Sequence, residues 1–176
     1  QVDYDVWHGG TSFGFWGGRS SRGEAWYATT SCDRDAPIAE GGGLTRKYYL
    51  LRLVNLLAGT LGPTFAACAA EGLGVTVHDA TQVYNLAGSS GRWAVVSNGG
   101  RSDIRTARLS GPTGRELVVS LDPLGAAAIP MDVAVSPAVR VDHANVMPLG
   151  YFGGKFLVFH GPAGWEAEVS VNGRLV

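Results

Sequence analysis

Hydrophobic and polar positions divide this chain into two parts with different periods. In the first, Val2 to His8 reads as a strand. Gly9 to Gly43 follows with little periodicity and reads as one long loop, dense in glycine and aromatic side chains. A structureless loop of that length inside a compact domain is usually functional. From Thr45 to Leu57 the apolar spacing becomes helical, with Tyr49, Leu53, Leu56 and Leu57 on one stripe that Leu50 and Val54 widen. Thr45 is placed to cap this helix, Gly59 to stop it and Pro63 to block its continuation. Strand, loop and helix make one βα unit.

From about Gly72 the pattern changes to short alternating runs. Strands are expected at Gly74 to His78, Gln82 to Leu86, Arg92 to Ser97, Arg105 to Leu109, Glu116 to Leu121, Lys155 to His160 and Trp165 to Val171. Ile129, Met131, Val133 and Val135 alternate with Pro130, Asp132 and Ala134 as one further strand. Turns fall at Asn98-Gly99-Gly100, at Gly111 to Gly114 and at Asp122-Pro123. Regular short strands with such turns indicate an antiparallel β-sandwich. The expected organisation is therefore a strand–loop–helix unit over 1–65, a linker over 66–73 and a β-sandwich over 74–176. Asn172-Gly173 reads as a hairpin turn that leaves only Arg174-Leu175-Val176 for the returning strand, and Gln1 is not an initiator methionine. Both favour a segment of a longer protein.

Length and charge narrow the function. The 176 residues hold one good core or two small ones, and fall short of a complete (β/α)8 barrel, which takes about 250 residues. Net charge is −1 and the basic residues are scattered, which argues against nucleic acid or an anionic membrane surface as a partner. No apolar run approaches the roughly 20 residues of a membrane span. Cys32 and Cys68 are either one disulfide or two isolated thiols, and they lack zinc-ligand spacing. His78, His143 and His160 are also far apart, and Gly9-Gly10 is too short for a phosphate-binding loop. No metal or other cofactor is expected.

Candidate chemistry lies in the long loop. Asp33 and Asp35 are two apart, so an extended segment would point both the same way, as paired acid/base work requires. Their Asp-x-Asp-Ala-Pro context is turn-forming, however, and favours carboxylates that fix the loop by accepting backbone N–H groups. Asp3 and Asp5 repeat the spacing on the strand. Trp7, Trp16, Trp26 and Tyr27 offer flat faces for a sugar ring, or else fill a core. Trp93 and Trp165, on sandwich strands, are expected in the core, and His8 is expected as a buried, hydrogen-bonded imidazole.

Two separated motifs then point to a family. Tyr4-Asp5-Val6-Trp7-His8-Gly9-Gly10-Thr11-Ser12-Phe13-Gly14 precedes Asp33-Arg34-Asp35-Ala36-Pro37-Ile38-Ala39-Glu40-Gly41 and Leu44-Thr45-Arg46-Lys47-Tyr48. In this order they resemble the end of the catalytic barrel in family 35 glycoside hydrolases, the β-galactosidases. That family reads roughly Tyr-Met-Phe-His-Gly-Gly-Thr-Asn-Phe-Gly, then Tyr-Asp-Tyr-Asp-Ala-Pro-Leu-Ser-Glu-Ala-Gly-Asp-Leu-Thr-Glu-Lys-Tyr. More loosely, Arg92 to Asn98 and Phe156 to Glu166 resemble strands of the β domain that follows the barrel.

The resemblance implies an α+β segment: the last βα unit of a (β/α)8 TIM barrel over 1–65, then an antiparallel β-sandwich. It implies a parent enzyme that cleaves terminal non-reducing β-D-galactose with retention and without a cofactor, in a secreted, periplasmic or lysosome-like compartment. Both catalytic groups of the family are glutamates, the acid/base directly after an asparagine on the fourth strand and the nucleophile on the seventh. The chain has no Asn-Glu dipeptide, and its first strand resembles the eighth, so it is expected to be inactive alone. Glu40 corresponds to a family glutamate read as structural. Two galactose-contacting tyrosines of the family are replaced here by Asp5 and Arg34, which with Trp7 are the expected substrate-binding residues. Ser12, Cys32, Gly43 and Arg46 also depart from the pattern, which leaves the sugar preference open. The rival readings are a non-catalytic carbohydrate-binding protein of the same fold and a structural β-sandwich module.

Overall fold

The structure is a computed structural model, and it describes residues 4, 6–11, 14, 17–20, 26–28, 31–33, 35–71, 76–78, 82–100, 102–110, 114–123 and 125–176. The protein is mostly antiparallel β-sheet with one helix, an arrangement compatible with a β-sandwich. It divides into two compact units, Gln1–Asn55 and Leu56–Val176.

Among the described residues of the first unit are four short strands: β1 (Gly10–Thr11), β2 (Gly18–Ser20), β3 (Trp26–Ala28) and β4 (Ser31–Cys32). β1 pairs with β4 and β2 with β3, both antiparallel. The stretch read as one long loop is therefore partly laddered. Two- and three-residue strands are too short to print an alternation on the sequence. Of the strand expected over Val2 to His8, residues 2, 3 and 5 lie outside the described residues. His8 makes a single parallel bridge to Ile38.

Helix α1 (Arg46–Ala66) runs well past its expected end. Neither Gly59 nor Pro63 stops it. An internal proline costs about 3 kcal/mol, but the last turns bury Leu57, Leu61 and Thr64. Phe65 packs there too, its ring 4.1 Å from that of Trp93 in a stacked pair. Each buried leucine contributes roughly 1.5–3 kcal/mol, so packing outweighs the proline. Thr60 and Thr64 donate their hydroxyls to the helical carbonyls of Leu56 and Leu61. The stripe also turns out differently from the expected one, since Tyr49 is exposed.

Among its described residues the second unit carries twelve strands. They are β5 (Cys68–Ala70), β6 (Thr76–His78), β7 (Gln82–Gly88), β8 (Gly91–Ser97), β9 (Arg105–Ser110) and β10 (Glu116–Leu121), then β11 (Ala126–Ser136), β12 (Val139–Ala144), β13 (Met147–Phe152), β14 (Phe156–His160), β15 (Val169–Val171) and β16 (Arg174–Leu175). Seven of them form one sheet in the order β16-β15-β12-β11-β8-β7-β5. A three-stranded sheet, β10-β9-β6, and the hairpin β13-β14 complete the unit. β5 stands in the stretch read as a linker and pairs with β7. β12 and β13 were not anticipated, and Trp165 to Val171 is a strand only from Val169.

Alternation on β8 shows how the large sheet is sandwiched. Ala94 and Val96 join Ala107, Leu109, Leu117 and Val119 in one core, between this sheet and the three-stranded one. Trp93 and Val95 face the other way, into a core with Leu57 and Leu61. β11 follows the same rule only as far as Met131. Its register to β8 shifts between Pro130 and Val133, and Asp132 there has φ 78°. This β-bulge adds one residue and flips the parity. Ile129 and Met131 serve the first core, whereas Val133 and Val135 serve the second. The single apolar stripe expected for these four residues is thus split between two layers.

Asn98, fully buried, closes the β8 end. Its Nδ2 donates to the carbonyls of Asp103 (2.9 Å) and Asp122 (3.0 Å), and its backbone N–H donates to Gly125. Cys68 is a free thiol whose pKa is raised by burial, with Sγ 3.1 Å from the Thr64 carbonyl. The side chain of Cys32 lies outside the described residues.

Candidate functional site

The candidate site is the region of the first unit around residues 31–48. Its frame is a short backbone ladder. Gly9 N–H donates to Ile38 O (2.8 Å) and Ile38 N–H to Trp7 O (3.1 Å). Ile38 also bridges Leu44 in the antiparallel sense. One apolar residue thereby ties the backbone of Trp7 and Gly9, just before β1, to the segment that leads into the helix.

Carboxylates and hydroxyls complete the frame. Asp33 Oδ1 accepts the Glu40 N–H at 3.1 Å, and Asp33 O accepts the Ala36 N–H at 2.8 Å. Asp35, at φ 52°, offers its carbonyl (2.7 Å) and its carboxylate (3.1 Å) to Lys47 Nζ. Both groups of that pair are exposed, so the salt bridge contributes at most about 1 kcal/mol. Glu40 Oε2 accepts from Ser31 Oγ at 2.5 Å. These contacts give Asp33, Asp35 and Glu40 loop-fixing work. Thr45 stands just before the first helical residue, as expected of a cap. Its hydroxyl, however, donates back to the carbonyls of Ala36 (3.0 Å) and Pro37 (3.2 Å) and so holds the loop against the helix.

Trp7 is half-buried in an aromatic cluster. Its ring centre lies 5.0 Å from that of Tyr4 and 6.1 Å from that of Tyr48, both tilted, and Tyr49 meets Tyr48 edge-on at 5.5 Å. Tyr4 also donates its hydroxyl to Asn55 Oδ1 on α1 (2.5 Å). His8, expected to be buried, is exposed, because the bridge to Ile38 uses its backbone and leaves the imidazole outside. Asp5, Arg34 and Trp16 lie outside the described residues, as do the side chains of Trp26 and Tyr27. Trp93 is buried in a core, and Trp165 is half-buried against a third cluster around Val141 and Val169. Among the described residues no group of three or more His, Cys, Asp or Glu side chains could hold a metal ion. Nor, among the described residues, is any helix long and apolar enough to cross a membrane.

A carboxylate-braced loop with aromatic side chains and a helix tied to that loop make up the frame of the candidate site. Comparison with known proteins adds a family resemblance to this geometry. Residues 1–57 match the sequence model of glycosyl hydrolases family 35. Over 54 residues the chain is 45% identical to the β-galactosidase-1-like protein of Mus musculus, covering 31% of this chain and 8% of that protein. Over 52 residues it is 50% identical to the β-galactosidase of Homo sapiens, covering 30% of this chain and 7% of that protein. The β-galactosidase of Mus musculus is 48% identical over 54 residues, with the same 31% and 8% coverage. Residues 1–57 are thus similar in sequence to a segment of family 35 glycosyl hydrolases. The matched stretch spans about 8% of the length of these curated relatives.

Proposed function

We propose that this chain is part of a longer retaining glycoside hydrolase that releases terminal non-reducing β-D-galactose. In this reading residues 1–65 are the last strand, active-site loop and helix of its catalytic barrel. The observation that carries the proposal is the 45–50% identity to β-galactosidase proteins over the braced loop and its flanks.

In a retaining glycosidase two carboxyl groups about 5–5.5 Å apart act as nucleophile and acid/base. Asp33, Asp35 and Glu40 are engaged in the loop, and the chain has no Asn-Glu dipeptide. The catalytic glutamates are therefore assigned to the remainder of the longer protein, and the 176-residue chain alone is inactive. Asp5, Trp7 and Arg34 are the substrate contacts. Trp7 gives an aromatic face, Asp5 accepts from a hydroxyl, and Arg34 can fork two N–H donors to neighbouring hydroxyls or to an acidic substituent. The loss of two tyrosines at these positions also supports a second reading, a carbohydrate-binding protein without turnover.

The test is kinetic and uses the full-length protein. Turnover of an aryl β-galactoside is the expected result, with Arg34→Tyr changing kcat/KM for that substrate relative to a β-galacturonide. Saturable sugar binding without turnover by the full-length protein would favour the second reading. Equal effects of Arg34→Tyr on both substrates would remove Arg34 from the pocket.

A further inference from the structure

Two residues of α1 hold the aromatic cluster of the candidate site. Tyr48 and Asn55 are two helical turns apart, so they stand on the same side of the helix at a spacing of about 10 Å. Each grips one member of a ring pair. The Tyr48 ring centre lies 6.1 Å from that of Trp7, and Asn55 Oδ1 accepts the Tyr4 hydroxyl at 2.5 Å. Tyr4 and Trp7 are themselves in tilted contact, with ring centres 5.0 Å apart. The contacts close a circuit from the helix through Asn55, Tyr4, Trp7 and Tyr48 back to the helix. All four residues belong to the first unit.

Such a circuit removes rotamer freedom from Trp7. An indole turns about two side-chain torsions, and a single ring contact leaves much of that freedom in place. Here two rings meet the indole, at interplanar angles of 52° and 58°. Its backbone is held as well, since Trp7 O accepts the Ile38 N–H at 3.1 Å. The hydroxyl of Tyr4 is what ties this arrangement to Asn55. Without that tether the Tyr4 ring is free to turn away, and the indole loses one of its two walls. Asn55 is also a poor residue for the helix itself. It is exposed at mid-helix, where asparagine has low helix propensity. Its bond to a side chain 51 residues away gives it a role that the helix does not need.

We propose that Asn55 is a positioning residue: acting through Tyr4, it sets the orientation of the Trp7 indole against which the substrate lies. The inference rests on the hydrolase reading in one respect, that Trp7 is a substrate contact. Trp7 is half-buried, so its two walls leave part of the indole open to a ligand. A contact residue is fully effective only when its rotamer is locked by neighbours and their hydrogen bonds. Misplacement by about 1 Å can cost up to about 100-fold in rate.

Two measurements separate the grip on Trp7 from its use. The first is 19F NMR of the 176-residue chain labelled with 5-fluorotryptophan, with signals assigned by Trp7→Phe and Trp93→Phe. Asn55→Ala and Tyr4→Phe should each move or broaden the Trp7 signal and leave that of Trp93 in place. Asn55→Asp keeps an oxygen that accepts the Tyr4 hydroxyl and should restore the original signal. Alanine is the better helix former, so Asn55→Ala does not undo α1, and the unmoved Trp93 signal establishes that the variants fold. An unmoved Trp7 signal in Asn55→Ala and Tyr4→Phe, or no restoration in Asn55→Asp, overturns the inference whatever the activity of the protein.

The second measurement uses the full-length protein and an aryl β-galactoside. A platform that serves bound substrate and transition state alike raises KM when it is misaligned and leaves kcat unchanged. Asn55→Ala is expected to raise KM roughly tenfold at constant kcat, with Asn55→Asp close to the unsubstituted value. Tyr4→Phe should raise KM equally. The double variant should go no further, because both changes cut the same link. Unchanged KM despite a moved Trp7 signal, or a fall in kcat at constant KM, overturns the positioning role. Absence of turnover counts against the hydrolase reading and not against the grip, which the 19F signal decides; the Kd for methyl β-D-galactopyranoside then takes the place of KM.

Discussion

Asp33 and Gly9 are in such close approach that a Cβ built on residue 9 would lie 1.9 Å from Asp33 Oδ1 and 3.0 Å from Asp33 Cα. The same Oδ1 accepts the Glu40 N–H. The glycine at the strand end therefore decides whether the carboxylate can reach across the loop. Gly9→Ala is expected to push the Asp33 side chain away, break its bond to Glu40 and cost about 1–3 kcal/mol of local stability. Amide exchange at Glu40 should accelerate while exchange on β8 and β11 stays slow. Unchanged exchange at Glu40 would show that the loop absorbs a methyl group and does not depend on this contact.

The helix supports a second prediction, because its two halves differ. Leu61 is 1% exposed, whereas Leu50 is 47% and Val54 40% exposed. Leu61→Ala should cost about 2–5 kcal/mol, the range for emptying a buried leucine site. Leu50→Lys should stay within about 0.5 kcal/mol, as surface substitutions do. Urea midpoints of the 176-residue chain and its two variants check both. A large loss in Leu50→Lys would mean that this face is covered in solution.

How much of this was readable in the sequence depends on how regularly each layer is met. Trp93 and Val95 against Ala94 and Val96 alternate cleanly because two different layers cover the two faces of β8. The β11 stripe misleads because the Asp132 bulge shifts parity inside an unbroken apolar run. The helix end misleads because Pro63 sits where Leu61 and Phe65 are packed. β13 is hidden by Pro148 and Gly150, which punctuate a strand as if it were a turn. In the first unit the motif residues Gly9, Asp33, Asp35, Glu40, Thr45 and Lys47 were legible through the family pattern. Their contacts were not, since Ser31 with Glu40, or Thr45 with Ala36, depends on a loop path that has no period.

Asn98 is a polar residue whose place in the core was not anticipated. It joins two turns through one side-chain amide, and its own backbone is tied to Gly125. Asn98→Ala leaves the carbonyls of Asp103 and Asp122 without that donor. A loss of about 1–3 kcal/mol is expected, with accelerated exchange at Gly125. Asn98→Asp should be no better, because a carboxylate cannot donate to either carbonyl.

Acid sensitivity should come in two separate steps. Burial pushes His160 below its ordinary pKa, and its Nε2 is enclosed without a hydrogen-bond partner. Between the lowered folded value and the unfolded value of about 6.5, the unfolded chain binds more protons. Stability therefore rises with pH in that window. This contribution is complete above the unfolded value and is lost as pH falls through the window toward the folded value. Glu168 is held below the usual carboxylate range first by its hydrogen bond from Arg115, with His143 adding to the effect. Its contribution is present above the unfolded value of about 4.3 and is lost as pH falls through the depressed folded value. Urea midpoints between pH 8 and pH 3 should thus decline first just below 6.5 and again in the acid carboxylate range. His160→Phe keeps a ring but removes the titrating nitrogens, so it should flatten the first decline only. Arg115→Met removes the main partner of Glu168 and should soften the second only. Exchange of these two effects, or a His160→Phe profile parallel to that of the unsubstituted chain, would show that other groups control the acid response.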